Sequence, residues 1–157
     1  MPGELKEKIE TVRERIAQAA ARAGRNAQEV TLIAVSKTKP VQAMNEALTC
    51  GITDFGENRV QELLEKLPNL QGSPHIHLIG HLQTNKVKSV IGKTDLIHSV
   101  DSLKIAKEIS KQSQAADIQT DVLLQVNIGM DPNKFGFKKE ELPQVLESIA
   151  TLPAIQV

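Results

Sequence analysis

The sequence predicts an α/β fold in which parallel strands alternate with helices. Six short runs rich in Val, Ile and Leu are separated by amphipathic stretches along the 157 residues, and such units build a parallel sheet. The turn at 37–40 after the first run contains no glycine, whereas a doubly wound nucleotide-binding fold usually has a glycine-rich turn there. The pattern therefore favours a (β/α) barrel of the TIM type over an open doubly wound sheet.

The first strand is predicted at 31–36, after an amphipathic helix at 4–23. Apolar residues of that helix recur at three- and four-residue steps, which is the period of one buried helix face. Val, Ile and Thr favour the extended backbone, and Pro40 prevents the strand from continuing. Lys37 is therefore expected at the carboxyl end of the strand, where folds of this kind assemble ligand sites.

The remaining elements follow the same alternation and are separated by glycines and prolines. Strands are predicted at 52–56, 76–80, 96–100, 122–127 and 155–157, and helices at 41–49, 60–67, 83–91, from a cap at Asp101 or Ser102 to Ala115, and at 138–150. A closed barrel needs eight strands and about 250 residues. We therefore expect residues 1–157 to form a single domain, an incomplete barrel with about six of eight strands, an exposed sheet edge and a missing C-terminal part.

Composition narrows the class of partner. Nineteen basic and nineteen acidic side chains balance, so no net field attracts nucleic acid or an anionic membrane. The sequence has no Trp or Tyr on which bases could stack, and no apolar run reaches membrane-spanning length. The single cysteine, Cys50, is typical of a reducing compartment. We expect a cytoplasmic protein without nucleic-acid or membrane partners.

Lys37 is the first candidate functional residue, and the residues alone leave two interpretations open. Apolar neighbours and the charge of Lys39 would favour the free amine that imine chemistry requires. The alternative is a strand-end lysine whose ammonium group simply reaches into water.

Three histidines, His75, His77 and His81, surround the third predicted strand. No cysteine or nearby carboxylate in the sequence completes a ligand set with them, so we predict no metal site. His77 fits the wall of a pocket or a hydrogen-bonded structural histidine.

Polar residues also follow the second and fifth strands. The residues after strand two have two interpretations: either Asn58 points across the barrel mouth, or Glu57 is simply a charge in the first turn of the next helix and Arg59 a solvated side chain. Gln125 and Asn127 lie on the increasingly polar face of strand five, which suits a pocket lining. The loop at 129–137 is either a solvated turn or a mobile lid.

Four segments match one family in the same order and at similar spacing. They are Ala34-Val35-Ser36-Lys37, Phe55-Gly56-Glu57-Asn58-Arg59-Val60-Gln61-Glu62, His77-Leu78-Ile79-Gly80-His81-Leu82-Gln83-Thr84-Asn85-Lys86, and Val126-Asn127-Ile128 with Lys134-Phe135-Gly136-Phe137. Together they resemble the pyridoxal phosphate homeostasis proteins, whose fold is similar to the N-terminal barrel of alanine racemase. The resemblance covers essentially the whole chain.

The resemblance implies that the cofactor is pyridoxal 5′-phosphate, held as a Schiff base on Lys37. It also implies that five further residues lie near the cofactor: Val35, Asn58, His77, Ile79 and Gly80. The implied role is intracellular homeostasis of the cofactor without strong catalytic activity. The family continues past residue 157 with the segments that hold the phosphate, so we expect this chain to retain the cofactor weakly. We expect a monomer, or a weak dimer formed along the exposed edge.

Two enzymatic alternatives use the same lysine. Racemisation of an amino acid needs acid–base groups on opposite faces of the substrate carbon. Lys37 could serve one face, but no tyrosine is present for the other. A Schiff-base lyase or aldolase also uses a strand-end lysine, together with an acid–base group that the sequence does not identify.

Overall fold

Six parallel strands form one sheet in the computed structural model, which describes residues 2–157. The strands are β1 (Ile33–Val35), β2 (Asp54–Glu57), β3 (His75–Leu78), β4 (Leu96–Val100), β5 (Thr120–Leu124) and β6 (Ile155–Gln156). Each strand pairs with the strand that precedes it in the sequence, so β1 and β6 lie at the two edges. The structure confirms the α/β prediction, with six strands of an incomplete TIM-type barrel.

The helices connect successive strands, except for the first, which precedes the sheet. They are α1 (Pro2–Arg22), α2 (Val41–Thr49), α3 (Val60–Lys66), α4 (Val87–Val90), α5 (Leu103–Ala115) and α6 (Leu142–Ala150). Short 3₁₀ turns occur at Ala27–Glu29, Leu67–Asn69, Thr84–Lys86 and Lys139–Glu141. No helix within residues 2–157 has both the length and the apolar character needed to cross a bilayer.

The hydrophobic core involves one face of the sheet. Phe55, Leu78, Ile97 and Val122 are almost fully buried, one on each of the four central strands, and they belong to the same core cluster as buried residues of the helices. The opposite face is more open, because Leu123 of β5 is 45% exposed. Side chains alternate between the two faces of a strand, so Val122 and Leu123 identify the covered and the open face.

Most predicted elements differ from the structure at their ends, and two differ in a way that has a clear physical reason. The helix predicted at 83–91 is a 3₁₀ turn followed by the single-turn helix α4, because the backbone becomes extended at Ile91. The strand predicted at 122–127 begins at Thr120 and ends at Leu124. Beyond it the backbone N–H of Asn127 donates to Phe137 O at 2.9 Å, so residues after β5 pair with their own loop.

Helix α1 lies against α2 through few buried groups. Of its residues, Ile9 and Ala20 are buried. Arg13 also donates hydrogen bonds to the carbonyl oxygens of Cys50 (3.1 Å) and Gly51 (2.6 Å). Those carbonyls follow the last turn of α2, where the helix dipole places partial negative charge.

Candidate functional site

A row of in-register residues crosses the first three strands. Val35 pairs with Gly56, and Gly56 pairs with His77. A Cβ atom on Gly56 would lie 3.1 Å from Ile33 Cγ2 and 3.0 Å from Ile79 Cδ1. The absence of a side chain at Gly56 therefore leaves room for Ile33 and Ile79, which form an apolar surface over β2.

The carboxyl ends of the same strands carry the other predicted site residues. Lys37 follows β1 in an exposed turn. Of the two interpretations that the sequence leaves open, this exposure agrees with a side chain that reaches into water and not with desolvated surroundings. The Oδ1 atom of Asn58 is buried and has no hydrogen-bond partner among the described residues. Gly80 packs against the backbone of Asn58, because a Cβ at Gly80 would overlap the Asn58 carbonyl oxygen and lie 2.7 Å from its Cα.

A buried polar network lies beneath the turn that contains Lys37. Ser36 Oγ donates to Glu57 Oε1 at 2.6 Å, and Lys66 Nζ donates to the same oxygen at 2.8 Å. Lys66 Nζ also donates to Ser36 O (2.7 Å) and to Glu62 Oε1 (2.6 Å). Glu62 Oε1 in turn accepts the backbone N–H of Thr38 at 2.5 Å. The network thus contacts the residues on both sides of Lys37.

The charges in this network stabilise one another. Burial acts to lower the pKa of Lys66, but its hydrogen bonds to Glu57 and Glu62 outweigh that effect and raise the pKa. The hydrogen bond from Lys66 lowers the pKa of Glu62. The interpretation of Glu57 as a first-turn helix charge is wrong: Glu57 is the last residue of β2 and is fully buried. Its charge is compensated by Lys66 rather than by a helix dipole.

His77 is held by both of its ring nitrogens. Nε2 lies 2.9 Å from Asp54 Oδ1, and Nδ1 lies 2.9 Å from His98 Nε2. Burial acts to raise the pKa of Asp54, but hydrogen bonds from Thr53 and His77 lower it overall. Burial, and then the charge of His77, lower the pKa of His98. Within residues 2–157, no three His, Cys, Asp or Glu side chains form a group that could hold a metal ion.

His81 lies apart from these histidines, beside the loop that follows β5. Its Nδ1 is 3.0 Å from Asp101 Oδ2, and its ring stacks on Phe135 with a centroid distance of 3.8 Å. Ser102, rather than Asp101, caps α5, because its hydroxyl accepts the N–H of Ile105 at 3.3 Å.

The side chain of Asn127 makes three hydrogen bonds to the loop at 129–137. Asn127 Nδ2 donates to Asp131 O at 2.8 Å and to Lys134 O at 3.4 Å, and its Oδ1 accepts the N–H of Asp131 at 3.2 Å. Asn127 therefore organises the loop, and a role of this loop as a lid stays a prediction.

Several residues of this region are absent from the sequence-based candidates. Glu62 and Lys66 carry a weak signal, since a Glu–Lys pair four residues apart is typical of a helix surface. Gly56 could have been found as the residue that interrupts the inner face of β2. Asp54 and His98 carry no signal, because their contact with His77 depends on strand register.

The sequence matches the family described as alanine racemase, N-terminal domain, over residues 8–157. It is 42% identical over 152 residues to the pyridoxal phosphate homeostasis protein of Aquifex aeolicus, a match that covers 96% of this chain and 67% of that protein. It is 40% identical over 150 residues to the protein of the same name from Escherichia coli K12, with coverage of 93% and 64%.

Solved structures agree with these sequence matches. A crystal structure of an unknown protein from Bifidobacterium adolescentis is 33% identical and has a TM-score of 0.92, covering 99% of this chain and 68% of that one. PipY of Synechococcus elongatus with pyridoxal phosphate bound is 34% identical with a TM-score of 0.77, covering 90% and 67%. Alanine racemase of Clostridium difficile shares the fold, with a TM-score of 0.69 at 18% identity over 82% of this chain and 34% of that one.

The chain therefore belongs to the alanine racemase N-terminal domain family. Within that family it is similar to proteins named pyridoxal phosphate homeostasis protein, and it spans about two thirds of their length.

Proposed function

We propose that this chain binds pyridoxal 5′-phosphate through Lys37 and serves in homeostasis of the cofactor rather than as a strong catalyst. The observation that carries the proposal is the exposed Lys37 at the carboxyl end of β1, beside the row formed by Val35, Gly56 and His77. The names of the relatives and the cofactor bound to PipY support the same class of ligand.

The residues at this edge fit such a cofactor chemically. When bound, pyridoxal 5′-phosphate supplies an aldehyde that condenses with a primary amine. Lys37 would provide that amine. Val35, which is 51% exposed, and the side chain of Ile79 would contact an aromatic ring, and the unpaired Oδ1 of Asn58 would accept a hydrogen bond. A mostly apolar surface with few polar groups is typical of cofactor sites.

The remaining site residues would shape the surroundings. His77 would form a fixed wall, because Asp54 and His98 engage its two ring nitrogens. Gly80 would let the backbone of Asn58 approach β3 closely. A cytoplasmic location is part of the proposal and rests on the single cysteine of the chain.

The absence of strong catalysis rests on the acid–base groups at this edge. Racemisation needs a second proton-transfer group opposite the lysine. The sequence contains no tyrosine, and the engaged nitrogens of His77 leave that ring poorly suited to the task.

Borohydride trapping tests the proposal. The 157-residue chain is incubated with excess pyridoxal 5′-phosphate, reduced and analysed by peptide mass spectrometry. We expect one reduced cofactor on Lys37, together with a near-ultraviolet absorbance band that disappears in Lys37→Ala. Lys39→Ala is the matched control, since Lys39 is exposed in the same turn, and it should keep the label.

Two outcomes would contradict the proposal. One is label spread equally over surface lysines, or retained at the same level in Lys37→Ala. The other is rapid racemisation or cleavage of amino acids by the loaded protein, which would favour an enzyme.

A further inference from the structure

The turn that carries Lys37 has an unfavourable backbone conformation at its next residue. Thr38 has φ = 62°, in the left-handed region that β-branched residues rarely occupy. The turn is closed on one side by the N–H of Lys39, which donates to Ser36 O at 3.0 Å. One such bond is a common feature of turns and does not explain why Thr38 keeps this conformation.

Two side chains of α3 supply the missing support. Glu62 accepts the N–H of Thr38 at 2.5 Å, and Lys66 donates to Ser36 O at 2.7 Å. The pair is itself joined at 2.6 Å. Both bonds to the turn involve a charged group, which makes them stronger than bonds between neutral groups.

The burial of Lys66 argues that this contact does more than attach α3 to the sheet. The Lys66 side chain is only 10% exposed, and its three hydrogen bonds go to Ser36 O, Glu57 and Glu62. A hydrophobic side chain would attach a helix at lower desolvation cost than a buried ion pair. What the charged arrangement adds is a specific geometry for residues 36–38.

We propose that Glu62 and Lys66 are positioning residues that hold the turn at Thr38 and thereby present the amine of Lys37 to an aldehyde cofactor. This inference rests on the proposed function. Neither residue needs to touch the cofactor. Each increases the fraction of molecules in which the turn is already in the binding conformation, and the apparent affinity scales with that fraction.

The test compares Glu62→Ala with Glu65→Ala on the same helix. Glu65 is exposed, and among the described residues its carboxylate accepts a hydrogen bond only from Gln61 Nε2, at 2.8 Å. Glu62→Ala leaves the Lys66–Glu57 pair intact, so we expect this variant to fold. With pyridoxal 5′-phosphate as the probe, borohydride-trapped labelling of Lys37 should become about tenfold slower in Glu62→Ala, the size of a typical left-handed backbone penalty. Glu65→Ala should label at the rate of the unchanged chain.

Two further measurements separate positioning from general stability. Without cofactor, the amide of Thr38 should exchange with solvent faster in Glu62→Ala than in Glu65→Ala. Adding Thr38→Gly to Glu62→Ala should recover most of the labelling rate, because glycine adopts positive φ without the side-chain penalty. A second variant, Lys66→Met, replaces the ammonium group and its hydrogen-bond donors with an uncharged side chain of similar length. It should slow labelling at least as much as Glu62→Ala.

The outcomes distinguish this inference from the proposed function. If Glu62→Ala or Lys66→Met is folded and labels Lys37 as fast as Glu65→Ala, the positioning role is overturned while the cofactor site stands. The same holds if Thr38→Gly restores nothing. If the unchanged chain does not label Lys37 in preference to other lysines, the proposed function fails first.

Discussion

Gly80 shows how a single missing Cβ brings two strand ends together. Its neighbour is the backbone of Asn58 rather than a flexible side chain, so a larger residue cannot be accommodated by a change of rotamer. The close approach brings the backbone of Asn58 against the segment that follows β3. A glycine at 80 is therefore required by contact, and not by a left-handed backbone.

Gly80→Ala should lower the free energy of unfolding by about 2–3 kcal/mol, at the upper end of overpacking costs. Gly129→Ala is the control, because a Cβ there has no neighbour within 4 Å, and its effect should stay within about 0.5 kcal/mol. Urea denaturation of both variants measures the difference. Equal midpoints would show that the two backbone segments separate easily.

For single residues, the sequence predicts position along a strand better than it predicts the surroundings of the side chain. Lys37 is at the end of a strand as predicted, because an apolar run followed by Pro40 determines where the strand stops. Its exposure is one of the two interpretations that the residues leave open, since solvent access depends on how neighbouring segments pack. Glu57 was misjudged because charged residues are usually exposed, and its partner Lys66 meets it only after β2 and α3 fold together.

Among the elements, α1 depends most on a few contacts. It has 21 residues, yet only Ile9 and Ala20 are buried among its described side chains. The bonds from Arg13 to Cys50 and Gly51 therefore carry much of its attachment to α2.

Arg13→Met should lower the free energy of unfolding by about 1 kcal/mol, the usual contribution of such hydrogen bonds. The methionine keeps much of the aliphatic packing, so the loss reports the bonds themselves. Arg15→Met is the matched control, since Arg15 is an exposed arginine of the same helix. Denaturation monitored by circular dichroism gives both values, and an equal effect of the two substitutions would argue against the docking role.

Element boundaries were predictable where local chemistry sets them. Helix α2 occupies 41–49 as predicted, between Pro40 and Gly51, and β4 also matches its predicted range. The helix at 83–91 was overestimated, because an apolar spacing that suits a longer helix does not reveal where the backbone turns. The end of β5 depends on the loop organised by Asn127, a non-local contact that periodicity cannot show.

For the whole molecule, the main feature is a sheet with one covered face and one partly open face. Val35 is 51% exposed on the edge strand β1, and Leu123 is 45% exposed on β5, next to the other edge of the sheet. Exposed apolar side chains and strand edges favour association between copies of a chain.

We therefore predict weak, concentration-dependent self-association, measurable by sedimentation equilibrium. Leu123→Lys should weaken it about tenfold, since loss of partial apolar burial is typically worth that much. Val12→Lys is the control, because Val12 is 39% exposed and lies on α1 rather than on a strand. A chain that stays monomeric at high concentration, or an equal response to both substitutions, would contradict this prediction.

The pairing of every strand with its predecessor has a consequence for biosynthesis. A nascent chain leaving the ribosome meets, at each new strand, a partner that has already emerged, so the sheet can grow outward from β1 while translation continues. Within residues 2–157, each strand after β1 has its partner one connection earlier in the sequence, so its pairing does not wait for residues that are still to be synthesised.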